Sequence, residues 1–335
     1  MTQPQLPQLR PRRTAQQPSR ARSAWSKQRI FIVLAAIIGV GVLLYPTAAA
    51  WFSDRVHATE ISGYIETVEN LSPSAQKSLL DEARQFNKVL PSGPLRDPYS
   101  LNEQGEQTVI GSGSDAYKKM LDIGPGGMMA RISIPAIHSD LPIFHGTDQA
   151  TLAKGAGHLF GSGLPVGGTS THSVLTAHTG FVNATLFDDL DKVADGDVFT
   201  INVLGEELYY RVNQIKTVLP EETDDLRKVD GRDYVTLVTC TPKGINSHRL
   251  LVRGERIDPP APEDGDRMLP SQVLDPGFPW WALALVGAIV LAILVTRPRK
   301  SSPGEAATPD SDDDEDPPST LAGAPRHDDG CETQS

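Results

Sequence analysis

Tyr234-Val235-Thr236-Leu237-Val238-Thr239-Cys240 is the stretch on which the reading of this 335-residue chain turns. It holds no charge, glycine or proline, and four of its seven residues are β-branched, so it reads as a strand. Side chains alternate along a strand. Tyr234, Thr236, Val238 and Cys240 therefore share one face, and Val235, Leu237 and Thr239 the other. Both faces are apolar enough for a central strand, with a thiol at its exit. Thr241-Pro242-Lys243-Gly244 then turns the chain. In the next run, His248-Arg249-Leu250-Leu251-Val252-Arg253, the residues Arg249, Leu251 and Arg253 alternate with Leu250 and Val252. A hairpin of these two runs returns Arg249 to the level of Cys240.

Similar short runs occur at 130–134, 141–144, 173–177, 198–203 and 207–218, and the two above span 234–239 and 249–257. Turn residues such as Ala194-Asp195-Gly196-Asp197 and Asp230-Gly231 separate them. Many short strands with few helices predict a mainly β sandwich or barrel. Residues 151–157 and 184–190 read as short helices between strands. Upstream, 55–90 reads as helical: Ser72 caps a helix with Pro73 at its first position, and Ala75, Leu79, Ala83, Phe86 and Leu90 recur at helical spacing. Pro91-Ser92-Gly93-Pro94 ends it. Residues 95–127 are rich in Gly, Ser, Pro and Asp and read as a long loop of the kind that covers binding sites.

The flanks bound where the chain sits. Residues 1–29 form an arm with seven basic side chains and no acidic one. Residues 30–52 follow, 23 residues without a charge, long enough to cross a bilayer core of ~30 Å with the basic arm on the cytoplasmic side. Pro46 and Ala48-Ala49-Ala50 also resemble a signal-cleavage region, so the span reads as an anchor or a cleaved signal; its length favours the anchor. Residues 278–296 form a second uncharged span, with Trp280 and Trp281 at its outer end and Arg297, Arg299 and Lys300 beyond its inner end. This places 53–277 outside the membrane, divided into a helical region (53–94), a loop region (95–127), a β-domain (128–258) and a linker (259–277). The tail, 297–335, is acidic and predicted to be disordered in the cytoplasm. Residues 53–277 hold 20 basic and 32 acidic side chains, a net −12, which argues against nucleic-acid binding.

The chain has two cysteines, Cys240 and Cys331, and this topology puts them on opposite sides of the membrane. Cys240 is then either a buried, inert hydrophobe or a reactive thiol. His178, in Leu175-Thr176-Ala177-His178-Thr179-Gly180, supplies an imidazole that titrates near neutrality. Arg249 stays protonated, a poor base but a good donor to an oxyanion or carbonyl. Together the three permit acyl transfer through a thioester. No pair among the histidines has a recognised metal-ligand spacing, and the glycines of 161–168 match no phosphate-binding pattern. No cofactor is implied.

Thr236-Leu237-Val238-Thr239-Cys240, with His178 before it and Arg249 after it, resembles the signature of sortases, membrane-anchored cysteine transpeptidases of Gram-positive surfaces. Two features resemble class C, the pilin-polymerising group: the C-terminal span, and Asp97-Pro98-Tyr99, which is similar to the Asp-Pro-aromatic lid of that class with Tyr where Trp is common. The resemblance implies a sortase-type eight-stranded β-barrel preceded by a helical region and held by two transmembrane helices. It implies that Cys240 attacks an LPxTG-like sorting signal between Thr and Gly, that His178 moves the protons, that Arg249 holds the carbonyl or oxyanion, and that a pilin lysine resolves the thioester. It implies pilin and surface-protein partners and membrane lipid. Thr239 and Thr179 are candidates to line the substrate site. Three other readings stay open: a sortase that anchors proteins to the cell-wall precursor, an external cysteine protease, and a non-catalytic surface barrel.

Overall fold

The computed structural model describes residues 26–91, 93, 95–99, 114–260, 273 and 275–297. Most of the basic arm, residues 100–113, most of the expected linker 259–277, and the acidic tail beyond Arg297 with Cys331 lie outside the described residues. Eight strands follow in chain order: β1 (Met128–Ile134), β2 (Ser139–His145), β3 (Ala156–His158), β4 (Thr171–Thr176), β5 (Val198–Val203), β6 (Glu206–Val218), β7 (Asp233–Thr241) and β8 (His248–Ile257). They close into a barrel in the order β1-β2-β3-β4-β7-β8-β6-β5.

The alternation read from the sequence sorts the side chains of β7 and β8 into two layers. Val235, Leu237, Leu250 and Val252 join the main core with Ile132, Phe199 and Tyr210. Val238 and Leu251 belong to a second cluster with Leu159, Val174 and Leu226, against which Leu95 and Tyr99 pack. Every residue from Tyr234 to Cys240 is buried because the outer face of this strand is also covered. On β1 and β2, Arg131 forks onto Asp140 through Nε–Oδ1 and Nη2–Oδ2 bonds of 2.6 and 2.7 Å. Both side chains are only 4% exposed, so neither charge tolerates loss of the other.

Sequence expectations need correction in several places, the loop reading of 95–127 among them, since Ser114–Lys119 is helical. Residues 151–157 are not a helix. The helix is shorter and earlier, and after it Ala156–His158 pairs in parallel with β2. The close approach selects glycine there, since a Cβ on Gly157 would sit 2.3 Å from the Gly146 carbonyl oxygen. Residues 184–190 are irregular, with Leu186 at φ 44°, and helical geometry is confined to a single 3-10 turn at Leu190–Lys192. Phe187 N–H donates to the His178 carbonyl instead, folding this segment back on the histidine.

The helices are α1 (Lys27–Glu69), α2 (Pro73–Val89), α3 (Ser114–Lys119), α4 (Gln149–Leu152) and α5 (Trp280–Val295). α2 starts as read: Ser72 Oγ accepts from Ala75 N–H, with Pro73 in the first turn. α1 is one continuous helix of 43 residues through Pro46, where composition had suggested a span followed by a separate helix. It seats on the barrel through Tyr64, whose hydroxyl donates to the Met129 carbonyl and accepts from Leu204 N–H at 2.8 Å. Among the described residues, α1 alone is long and apolar enough by length and composition to cross a membrane. The second expected span is helical for 16 residues, about 24 Å, because it begins only after Pro279.

Candidate active site

Backbone register brings the three sequence candidates together. β7 and β8 are antiparallel, and Cys240 is the direct partner of Arg249. β4 and β7 are parallel, with Thr171 opposite Asp233 and Thr176 opposite Val238, a constant offset of 62 residues. Continued two residues past the end of β4, that offset sets His178 level with Cys240. Neighbouring strands lie about 4.8 Å apart. The imidazole, thiol and guanidinium therefore belong to one row with the thiol in the middle: Cys240 on β7, Arg249 beside it on β8, and His178 just beyond the end of β4.

Cys240 is a free thiol, 8% exposed. Arg249 is also 8% exposed, with its guanidinium almost fully engaged. Its Nε and Nη2 donate to the two carboxylate oxygens of Asp97 at 2.7 Å each. Nη1 donates to the carbonyls of Asn246 and His248 at 3.0 and 3.1 Å. Four of its five N–H groups are thereby spent on the protein.

The segment Leu95–Tyr99 crosses this row. Pro98 is buried. The Tyr99 ring has the Arg249 guanidinium 5.0 Å from its centroid and the His178 ring 5.9 Å away. Its hydroxyl donates to the Ala177 carbonyl at 2.6 Å and accepts from Thr176 Oγ1 at 2.7 Å. Sequence reasoning singled out Asp97, Pro98 and Tyr99 but had no signal for the threonine and carbonyl that receive the phenol. Thr239 donates its own hydroxyl to the Ala177 carbonyl at 2.8 Å, so it braces β7 against β4. Thr179 is buried beside His178, 9% exposed.

His178 is held by two neighbours that the sequence did not reveal. Phe181 stacks on its ring at 5.5 Å, and Nε2 lies 3.1 Å from Gln149 Oε1 at the start of α4. Neither belongs to a periodic pattern that includes His178. Two buried histidines of the barrel, His158 and His172, are structural. His158 is fixed between Tyr117 and the Gly163 carbonyl, and His172 between the Arg227 carbonyl and Thr236. Burial pushes each down to about 4, so both stay neutral. Among the described residues, no group of three or more His, Cys, Asp or Glu is placed to hold a metal ion.

Electrostatics favour an uncharged pair in this conformation. Burial raises the Cys240 thiol, and the Asp97 carboxylate raises it further against the lowering effect of Arg249. Burial lowers His178. At neutral pH the thiol and imidazole are therefore both neutral, and a thiolate forms only as the site is uncovered or a proton moves to His178. Alkylation of Cys240 followed against pH should have its midpoint above the ordinary thiol value of about 9. Asp97→Asn should shift that midpoint to lower pH, because it removes a nearby negative charge. A midpoint unmoved or higher in Asp97→Asn contradicts this account.

A thiol between an imidazole and a guanidinium, on the outer face of a closed barrel, is a site for nucleophilic acyl transfer. Residues 132–257 match the family model of the sortase domain. The solved structure of sortase C-1 from Actinomyces oris is 53% identical, with the match covering 56% of this chain and all of that one at a TM-score of 0.53. Sortase C1 of Streptococcus agalactiae is 40% identical over 60% of this chain and 96% of that one, at a TM-score of 0.54. Sortase A of Bacillus anthracis is 27% identical over 130 residues, 39% of this chain and 60% of that protein. The chain thus spans about 60% of the length of that curated relative. The chain belongs to the sortase family, and the solved structures it resembles are class C sortases.

Proposed function

We propose that this protein is a class C sortase that joins pilin subunits, with Cys240 as nucleophile, His178 as proton carrier and Arg249 as carbonyl and oxyanion donor. The observation that carries the chemistry is the pairing of Cys240 with Arg249 on β7 and β8, at the level that His178 reaches two residues beyond the end of β4. Cys240 Sγ attacks the Thr carbonyl carbon of an LPxTG-like sorting signal, its proton passing to His178. Arg249 stabilises the oxyanion. The Thr–Gly C–N bond breaks, His178 protonates the departing glycine amine, and a thioester remains on Cys240. A lysine ε-amine of the next pilin attacks that thioester and gives its proton to His178. An isopeptide bond forms, and the thiol is restored. Fixed donors and a positioned acid–base group are each worth several kcal/mol in such reactions.

The preference for pilin polymerisation over wall anchoring is supported by the 53% identity to a sortase C-1 and by Asp97-Pro98-Tyr99 lying against Arg249 and His178. In this reading Leu95–Tyr99 is a lid that must leave before Arg249 can receive substrate. The barrel lies outside the membrane, with α1 as its anchor and α5 returning toward the cytoplasm.

The test is trapping. Full-length protein is mixed with an LPxTG-like peptide, and the adduct is mapped by mass spectrometry. A peptide thioester on Cys240, resolved by a pilin lysine faster than by water or by cell-wall-type amines, is the expected result. Resolution by cell-wall-type amines alone would assign the protein to wall anchoring, and by water alone to proteolysis.

A further inference from the structure

The loop after His178 is bonded to the apolar part of α1. Tyr45, inside the uncharged run 30–52, donates its hydroxyl to Asn183 Oδ1 at 2.8 Å. The edge of that run is marked by an aromatic group. The rings of Trp51, Phe52 and Trp281 lie 5.1–6.3 Å apart, and Trp51 Nε1 donates to the Gly277 carbonyl. Arg55 and Asp275 face each other at 3.8 Å just outside it. Such aromatic groups with charges beyond them define a bilayer interface. Tyr45 lies six residues before Trp51, about 9 Å further along the helix toward its apolar side. Asn183 is held at that depth.

The composition of the loop suits this position. Residues 176–187, Thr-Ala-His-Thr-Gly-Phe-Val-Asn-Ala-Thr-Leu-Phe, contain no Asp, Glu, Lys or Arg and end an uncharged run that begins at Gly155. Val182 at its tip is 61% exposed. The β7–β8 loop lies alongside, with Gly180 against Gly244 (a Cβ on Gly180 would be 3.8 Å from Gly244 N). Ile245 in that loop is 72% exposed. Its only charge, Lys243, is turned toward Asp188 and Asp189 at 3.8 and 3.9 Å. Two neighbouring loops thus each present an exposed aliphatic residue at this end of the barrel. The bond to an apolar helix identifies its occupant as lipid, and a depth of about 9 Å matches the ~5–10 Å at which interfacial segments rest below the headgroups.

We propose that the tips around Val182 and Ile245 form a lipid-contacting surface that seats the mouth of the Cys240 cleft at the bilayer interface. Both loops flank the catalytic row: one begins at His178 and the other joins Cys240 to Arg249. The proposal rests on the membrane placement of α1 given above.

The test uses full-length protein in a Cys240→Ser, Cys331→Ser background, reconstituted in phosphatidylcholine–phosphatidylglycerol vesicles. Single nitroxide labels are placed through Val182→Cys, Ile245→Cys, Leu43→Cys and Val229→Cys, and power saturation compares their access to oxygen and to a water-soluble nickel chelate. Leu43 reports the apolar run of α1, and Val229 an exposed aliphatic site elsewhere on the barrel. Labels at 182 and 245 should be open to oxygen and shielded from nickel, as at 43 but shallower, with the reverse at 229. Nickel access at 182 and 245 equal to that at 229, while 43 is shielded, overturns the proposal and leaves the anchor intact. Nickel access at 43 overturns both. Should Val182→Cys fail to fold, Ile245→Cys reports the same surface.

Discussion

Alanine in place of Cys240 is expected to cost about 10⁴-fold or more in peptide joining, the scale seen when a nucleophile is removed from a unit of cooperating groups. Neither neighbouring hydroxyl can substitute for it. Thr239 is committed to the Ala177 carbonyl, and Tyr99 uses its hydroxyl on the same acceptor. His178→Ala should fall in the same range, because burial holds the thiol protonated and the imidazole is the group assigned to take that proton. The double variant should lose no more than the worse of the two singles, since the groups act in one step and their effects do not add. Steady-state joining rates, measured with unfolding temperatures to confirm that each variant is folded, check this. A Cys240→Ala protein within tenfold of wild type would end the thioester account.

The local pattern was legible, and the long-range register was not. Alternation on 234–240 and 249–253 separated Val235, Leu237, Leu250 and Val252 from Val238 and Leu251, as the two apolar clusters do, because period two is a property of a strand whatever it pairs with. The hairpin partnership of Cys240 and Arg249 followed from a short connection. The 62-residue offset between β4 and β7 had no counterpart in the sequence: parallel neighbours share no turn, so nothing local fixes their pairing. Motif resemblance, not periodicity, is what linked His178 to Cys240. β3 escaped notice because three residues with glycine at the centre carry no strand pattern. The continuity of α1 was hidden by a change of composition from lipid-type to water-type residues, which alters a helix's surroundings without ending it. The phenol's acceptors and the Phe181 stack on His178 come from loop conformations that no sequence spacing encodes.

Replacing Asp97 and Tyr99 together by alanine should raise the alkylation rate of Cys240 at pH 7 by about tenfold to a hundredfold, measured in a Cys331→Ser background. The size follows from what the segment gives up. The Asp97 and Arg249 side chains are 7% and 10% exposed in the closed arrangement, so little water softens their pairing. A bond to a charged group is worth ~1.5–3 kcal/mol, and each 1.4 kcal/mol is a factor of ten in the open population. A site that is open only part of the time reacts in proportion to that fraction. Two effects then add in direction. The thiol becomes accessible, and loss of burial and of the Asp97 charge lowers its pKa toward the working pH. The variants also separate the two contributions. Tyr99→Phe keeps the ring between Arg249 and His178 but loses the bonds to Ala177 and Thr176, so it should raise the rate less than the double replacement. Asp97→Asn removes the charge and keeps the shape, so its effect should show mainly as a shift of the pH midpoint. Equal alkylation rates in wild type and the double variant, with unchanged unfolding temperature, would mean that Leu95–Tyr99 does not gate the thiol.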